Sequence, residues 1–321
     1  MVLVQAVTAA DFEQVYPLLN WHGPEIDKAG WRRIFDYGWA RSQPHCGYAL
    51  FDGEEAVGFL GTIFSDRPHP TTGQLIHCCN LSTWVVKPEY RGHSLALMMP
   101  VIRLKDTTLT DLSPGDGVVR VSRRLGFQVL ETEARVLLPR PRWTRSSQLE
   151  AQQAGVEMLI GDRDAISRVL SPSDLQTFSD HNPYPNCHQL LCKDETDYCY
   201  VVYTEDRNAT LSYAQIHHIS HPGLFKRYHW AIRQQIMQRS KLPLVVVDAR
   251  LTAGATFPLS YRIPLSAPRL YRSEQLAPAQ IDNLYSELAL LSFDTADALT
   301  LELREKVLAS VSPALRWLAC A

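Results

Sequence analysis

The chain predicts an α/β protein, with mixed α+β sheets in two lobes, on three observations. The first 140 or so residues alternate strand and helix patterns. A Pro/Arg/Ser stretch, Pro139–Ser147, interrupts them without periodicity, and past it the opening pattern returns. A length of 321 residues exceeds one typical core and fits two domains. Forty-five per cent apolar and 21 per cent charged residues make a globular chain, and the net charge of −2 gives no electrostatic case for nucleic acid. No apolar run approaches the ~18 residues that span a bilayer. Seven cysteines form no disulfide framework, and the odd count leaves one unpaired. The start, Met1–Asp11, lacks the basic region of a signal peptide and reads as a first strand, so a reduced, cytoplasmic setting is expected.

The elements follow in order. Val2–Val7 alternates as a strand, and Thr8 caps a helix running to about Asn20. Lys28–Gly38, carrying Trp31, Ile34 and Phe35, reads as an amphipathic helix. Gly47–Phe51 and Ala56–Phe64 flank Asp52-Gly53-Glu54-Glu55, a hairpin signal. Leu75–Val86 is a longer strand, Gly92–Leu104 a helix and Thr107–Leu112 a short strand. Gly117–Leu125 is a helix stopped by Gly126. Phe127–Thr132 and Ala134–Leu138 read as two more strands, giving β-α-α-β-β-β-α-β-α-β-β.

Beyond the linker, Val156–Ile160 resembles a first strand and Asp162–Leu170 a first helix. Cys187–Cys192, Asp197–Tyr203 and Thr210–Ile219 form a three-strand run. Phe225–Arg239 is helical and Leu244–Ala249 a buried strand. The domains are therefore placed at 1–143 and 144–321. Two terminal helices, one opening at Pro278 and one after Asp294, carry Leu284, Leu288, Leu291, Leu299, Leu303 and Leu308. They cover core or form a dimer seam.

Chemistry concentrates in Trp84-Val-Val-Lys-Pro-Glu-Tyr-Arg-Gly-His-Ser-Leu-Ala96. Pro88 stops the strand because it cannot donate to a ladder and it restricts Lys87. Gly92 is read as the residue that allows a tight reversal, and N–H groups from Gly92 to Ala96 as an anion site at a helix start. The matching turn of the second half, Ser220-His-Pro-Gly-Leu-Phe225, has bulky Leu224 and Phe225 where a phosphate needs bare backbone.

This segment, with the element order, resembles the GNAT superfamily of acyl-CoA N-acyltransferases. Its Arg/Gln-x-x-Gly-x-Gly/Ala signature reads here Arg91-Gly92-His93-Ser94-Leu95-Ala96, with Ser94 at the middle glycine, and Arg124-Leu-Gly-Phe127 matches a later Leu-Gly-Phe. The resemblance implies a GNAT fold in two lobes, the C-terminal one degenerate, and acetyl-CoA or CoA as co-substrate without metal. It implies that main-chain groups of Trp84 and Val86 pair with the pantetheine arm. The Val86 N–H would then polarise the thioester carbonyl, which contributes roughly 3 kcal/mol. Arg91, Gly92, His93, Ser94, Leu95 and Ala96 would hold the pyrophosphate. Ser122 stands where the family often places the tyrosine that protonates the leaving thiolate. The implied activity is N-acetyl transfer to a small-molecule or peptide amine by direct attack. The alternative is a non-catalytic acyl-CoA-binding protein, motivated by Ser94 and Ser122. A third reading, an aminoacyl-tRNA-dependent ligase, runs against the −2 charge.

A protonated amine needs a base. The long strand offers no carboxylate, and His77 is its one side chain titrating near neutrality; His22, in the Trp21-His-Gly-Pro24 loop, is the other candidate. Arg120, Arg123 and Arg124 share one helix face, either solvated or facing the CoA 3′-phosphate. His181, Cys187, His188 and Cys192 include no CxxC pair, and the two sulfurs fall on opposite strand faces, so zinc is not expected. Cys78-Cys79 reads as buried and inert, and His217, His218 and His221 as packing or surface residues.

Overall fold

A computed structural model describes residues 2–139, 155–207 and 212–291. The chain divides into two compact units, Met1–Leu130 with Pro268–Leu291, and Glu131–Ala267. The single boundary expected after residue 143 is thus replaced by a crossing after Leu130 and a return at Pro268. The linker lies almost wholly outside the described residues, as does the helix expected after Asp294.

In unit 1, β1 (Val2–Val7), β2 (Gly47–Asp52), β3 (Glu55–Pro68) and β4 (Leu75–Val86) pair antiparallel in sequence order. β5 (Thr107–Asp111) then joins β4 in parallel. The sheet is closed by the end of β12 (Ser260–Arg272), where Leu270–Arg272 runs antiparallel to Leu109–Asp111. One face is packed by α1 (Phe12–His22) and α2 (Lys28–Arg33), with Phe12, Phe35 and Phe59 in ring contact at 5.1 and 5.4 Å. The other takes α3 (Ser94–Ile102), whose Leu97, Met98 and Val101 meet Leu60, Phe64, Cys79 and Leu81. α4 (Asp116–Arg124) ends at Gly126, whose φ of +91° is the left-handed stop the sequence predicts.

Unit 2 has the same order. Its elements are β7 (Glu157–Ile160), α5 (Arg163–Ser167), α6 (Pro172–His181), β8 (His188–Lys193), β9 (Tyr198–Arg207) and β10 (Ser212–Ile219), followed by α7 (Pro222–Ser240) and β11 (Val245–Asp248). β10 and β11 are the parallel pair, and β6 (Gln128–Leu137) closes this sheet antiparallel to β11. Each sheet therefore receives its last strand from the other half of the sequence.

Several expectations change. The helix expected to reach Gly38 stops at Arg33 because the next residues lie along the β3 edge that β2 leaves uncovered. There the Phe64 N–H donates to Tyr37 Oη (2.8 Å), Trp39 Nε1 donates to the Phe64 carbonyl (2.9 Å) and Asp66 N–H to Ala40 (2.9 Å). The two strands after Phe127 are the single β6, and β12 escaped notice because Pro264 and Pro268 interrupt its pattern. Pro278 opens only a three-residue 3-10 turn, and Glu287–Leu290 is one helical turn, here α8. Leu284 and Leu288 are buried within unit 1, so this part of the terminal segment covers core. Among the described residues no helix is long and apolar enough to cross a membrane.

Gly61 of β3 faces Ser82 so closely that a Cβ would stand 2.4 Å from Ser82 Oγ and 2.9 Å from the Ser82 carbonyl. Gly61→Ala is expected to destabilise by about 1–3 kcal/mol, because the second neighbour is backbone and cannot rotate away. Circular-dichroism melting should show Tm lowered by roughly 2–4 °C per kcal/mol.

Candidate functional site

The site is built on the second half of β4. β3 covers β4 along its whole length, but β5 pairs only with His77–Leu81. From Ser82 to Val86 no strand among the described residues covers the other edge. The β3–β4 register slips between Leu60/Trp84 and Gly61/Ser82, leaving Thr83 as an extra residue at φ +47°. A β-branched residue in the left-handed region costs on the order of 1–3 kcal/mol, and such bulges re-aim strands beside functional sites. Past the bulge, the Lys87 N–H donates to the Val57 carbonyl at 2.9 Å. Antiparallel ladders alternate, so the main-chain groups of Val86 and Trp84, paired with Gly58 and Leu60, turn away from β3 toward the uncovered edge.

The following turn departs from expectation. Pro88–His93 winds as a 3-10 helix, in which each N–H turns onto the carbonyl three residues back. Tyr90 N–H donates to Lys87 (2.9 Å) and Ser94 N–H to Arg91. The amides of Arg91, Gly92, His93 and Ser94 are thus engaged within the turn. Leu95 and Ala96 fall in the first turn of α3, where an α-helix supplies no acceptor of its own. Gly92 has no positive φ, so the reversal does not need glycine. Its contribution is room, since a Cβ there would meet nothing within 4 Å. Arg91, Gly92 and His93 are exposed, and Ser94 is half-buried. Tyr90 Oη donates to Asp52 at 3.0 Å and Lys87 pairs with Glu55, which anchors the turn to the β2–β3 hairpin. The free β4 edge and the open space at Gly92 leave room for an extended ligand beside the turn.

The predicted proton carriers lie elsewhere. Ser122 is fully buried in α4 with no hydrogen-bond partner for Oγ, so its proton has no route to a leaving group. His77 is paired with Asp66 at 2.8 Å and stands at the opposite end of β4 from Val86, roughly 30 Å away at the rise of a strand. His22 ends α1, and its pKa is lowered by the surrounding protein against the opposing pull of Glu25. The preceding Trp21 lines an open groove of about 620 Å³ beside Lys87, Pro88 and Glu89, so His22 is the candidate base nearer the site. Arg120, Arg123 and Arg124 are exposed. Burial raises both the Cys78 and Cys79 thiols, as an inert pair requires.

Sequence reasoning missed a buried polar cluster where β4 and β5 part. Asn80 Nδ2 and Ser113 Oγ (2.5 Å) both donate to Glu287, and Thr110 Oγ1 donates to Asn80 Oδ1 at 3.0 Å. Asp111, last in the β4–β5 ladder, has its pKa raised well above the usual range by burial and then by Glu287; burial raises Glu287 too. Each of the two buried carboxyls thus favours its neutral form more than a carboxyl in water does. No local motif announces a contact spanning 207 positions of sequence.

In unit 2 the corresponding helix start is filled. His221 Nδ1 accepts the Leu224 N–H at 3.1 Å, Leu224 and Phe225 are buried, and a Cβ on Gly223 would meet the His221 ring at 3.1 Å. Among the described residues no group of three or more His, Cys, Asp or Glu is placed to hold a metal ion.

Solved structures share the fold, three of them named here. They are a GCN5-related N-acetyltransferase from Kribbella flavida, with 13% identity, 85% of this chain and 72% of that one covered, and a TM-score of 0.53; a GCN5-related N-acetyltransferase from Anabaena variabilis, with 12%, 85%, 72% and 0.53; and a probable N-acyltransferase from Enterococcus faecalis, with 14%, 87%, 74% and 0.56. The chain has the GCN5-related N-acetyltransferase fold. No family model and no curated protein matches it.

An acid whose pKa is raised on folding stabilises below its unfolded pKa and loses that contribution as pH climbs through its folded pKa. For Asp111 the loss starts near the ordinary value of 3.8. The stability difference between wild type and Asp111→Asn is therefore expected to shift toward the variant with rising pH, by at most about 1.4 kcal/mol per pH unit. Urea melts from pH 4 to 8 check this, and a pH-independent difference would place Asp111 in contact with water.

Proposed function

We propose that this chain is an acyl-CoA-dependent N-acyltransferase, with acetyl-CoA as co-substrate and a small-molecule or peptide amine as acceptor. The free edge of β4 carries the reading. A pantetheine arm bears amides that can add to such an edge as a strand does. With its main chain turned outward, Val86 offers an N–H to the thioester carbonyl, a fixed donor where negative charge develops. The amides of Leu95 and Ala96 would meet the diphosphate, with the exposed Arg91 and His93 at its rim. The amine attacks the carbonyl carbon directly and forms the C–N bond, its surplus proton passes to water, the C–S bond breaks and CoA leaves as a thiolate. Unit 2 is read as a lobe of the same fold whose anion cradle is closed by His221. A reduced, cytoplasmic setting belongs to this reading.

A second reading, acyl-CoA binding without turnover, is favoured by the sealed Ser122 hydroxyl and by the amides engaged in the 3-10 turn. Incubation of acetyl-CoA with a panel of amines separates the two, since binding without product supports the second. Arg91→Glu is expected to abolish a CoA-induced rise in Tm, and an undiminished rise would put the ligand elsewhere. Val86→Pro deletes one outward N–H while sparing the β3 ladder. It should lower kcat about 10²–10³-fold with CoA affinity retained; unchanged kcat removes Val86 from the chemistry.

A further inference from the structure

Glu287 is a buried carboxylate that the acyl transfer described above leaves without a role. It opens α8 and is wholly inaccessible to solvent, yet it is joined to an exposed side chain. Ser113 is exposed, and its Oγ donates to Glu287 Oε1 at 2.5 Å. Asn80 Nδ2 donates to the other oxygen, Oε2, which holds the carboxylate toward the serine. The serine is fixed in turn. Its N–H donates to Asp111, Arg269 Nη1 donates to the preceding Leu112 carbonyl, and Pro114 after it is buried.

Position makes the pair relevant. The last β4–β5 pair is Leu81 with Asp111. Ser113 follows two residues later, at the exit of β5, so it stands at the mouth of the gap whose other side is the free edge of β4. Ser82, first residue of that edge and on the Asn80 face of β4, keeps its Oγ buried without a partner, which native proteins rarely allow. Charge suits the same role. Burial raises the Glu287 pKa, while Ser113, Asn80 and Arg269 pull the other way. Its further titratable or charged neighbours are Asp111 of β5, the Cys78 thiol of β4, which burial also raises, and Arg33 of α2, which donates to the Leu290 carbonyl. A raised carboxyl is a stronger base than one in water, as proton removal near neutrality demands.

We propose, resting on the acyltransferase reading, that Ser113 and Glu287 form the relay that deprotonates the acceptor amine. The ammonium N–H bond breaks and its proton passes to Ser113 Oγ, while the hydroxyl proton passes to Glu287 Oε1. The amine keeps the electron pair with which it attacks, and Glu287 ends neutral. After CoA has left, Glu287 returns its proton to water by the same path. Ser113 touches the substrate, and Glu287 acts through it as a positioning residue.

Steady-state assays with acetyl-CoA and 1,4-diaminobutane, glucosamine or glycylglycine, from about pH 6 to 10, test this. Ser113→Ala and Glu287→Gln should each lower kcat/KM for the amine about 10²-fold or more near neutrality, with KM for acetyl-CoA retained. The deficit should shrink as pH climbs past the amine's own pKa, because solution then delivers the neutral amine. A merely structural loss has no such dependence. Ser113→Thr keeps the hydroxyl and should restore most of the rate. Ser113→Ala alters only an exposed side chain, so it tests the relay even where Glu287→Gln fails to fold. Turnover by Ser113→Ala equal to wild type, or a deficit constant with pH, would overturn the proposal and return the base to His22. No product from wild type with any of these amines would remove the acyltransferase reading itself, and the relay with it.

Discussion

One additional residue in β4 governs the candidate site. Without the bulge at Thr83 the β3–β4 ladder would keep one register to its end, and the outward alternation would fall on Thr83 and Val85. With it, Trp84 and Val86 present their amides and carbonyls on the side that β5 has already left. The strain of a left-handed threonine is held by the long β3 pairing on both sides of the slip, and Gly61 leaves room for Ser82 opposite. Backbone geometry, more than any side chain, makes this edge receptive to an amide-bearing chain.

Much of the fold was legible because its signals are local. The alternation of Val2–Val7 and Leu75–Val86 matches β1 and β4 to the residue, and the Asp52–Glu55 turn joins β2 to β3. What failed was non-local. A strand signal cannot say which sheet a strand completes, so β6 and β12 were assigned to the wrong halves or not found. The Arg91–Ala96 motif located the turn but not its winding, because 3-10 and open conformations share the same residues. Ser122 was weighed for proton transfer on spacing alone, and only packing reveals that it is sealed.

The two units put the same architecture to different electrostatic ends. In unit 1 the helix start after the parallel pair's first strand lies under open space at Gly92, and the buried carboxyls gather where β4 and β5 separate. In unit 2 the equivalent helix start is plugged by an imidazole.

The return of residues 268–291 to the first unit bears on how the chain is made. A ribosome delivers the amino end first, and domains ordinarily fold in that sequence. Here β5 waits for Leu270, and Asn80 waits for Glu287, 207 positions downstream of it. The nascent first half must persist with an uncapped sheet edge, which makes this stretch of synthesis the interval most exposed to aggregation and to chaperone capture.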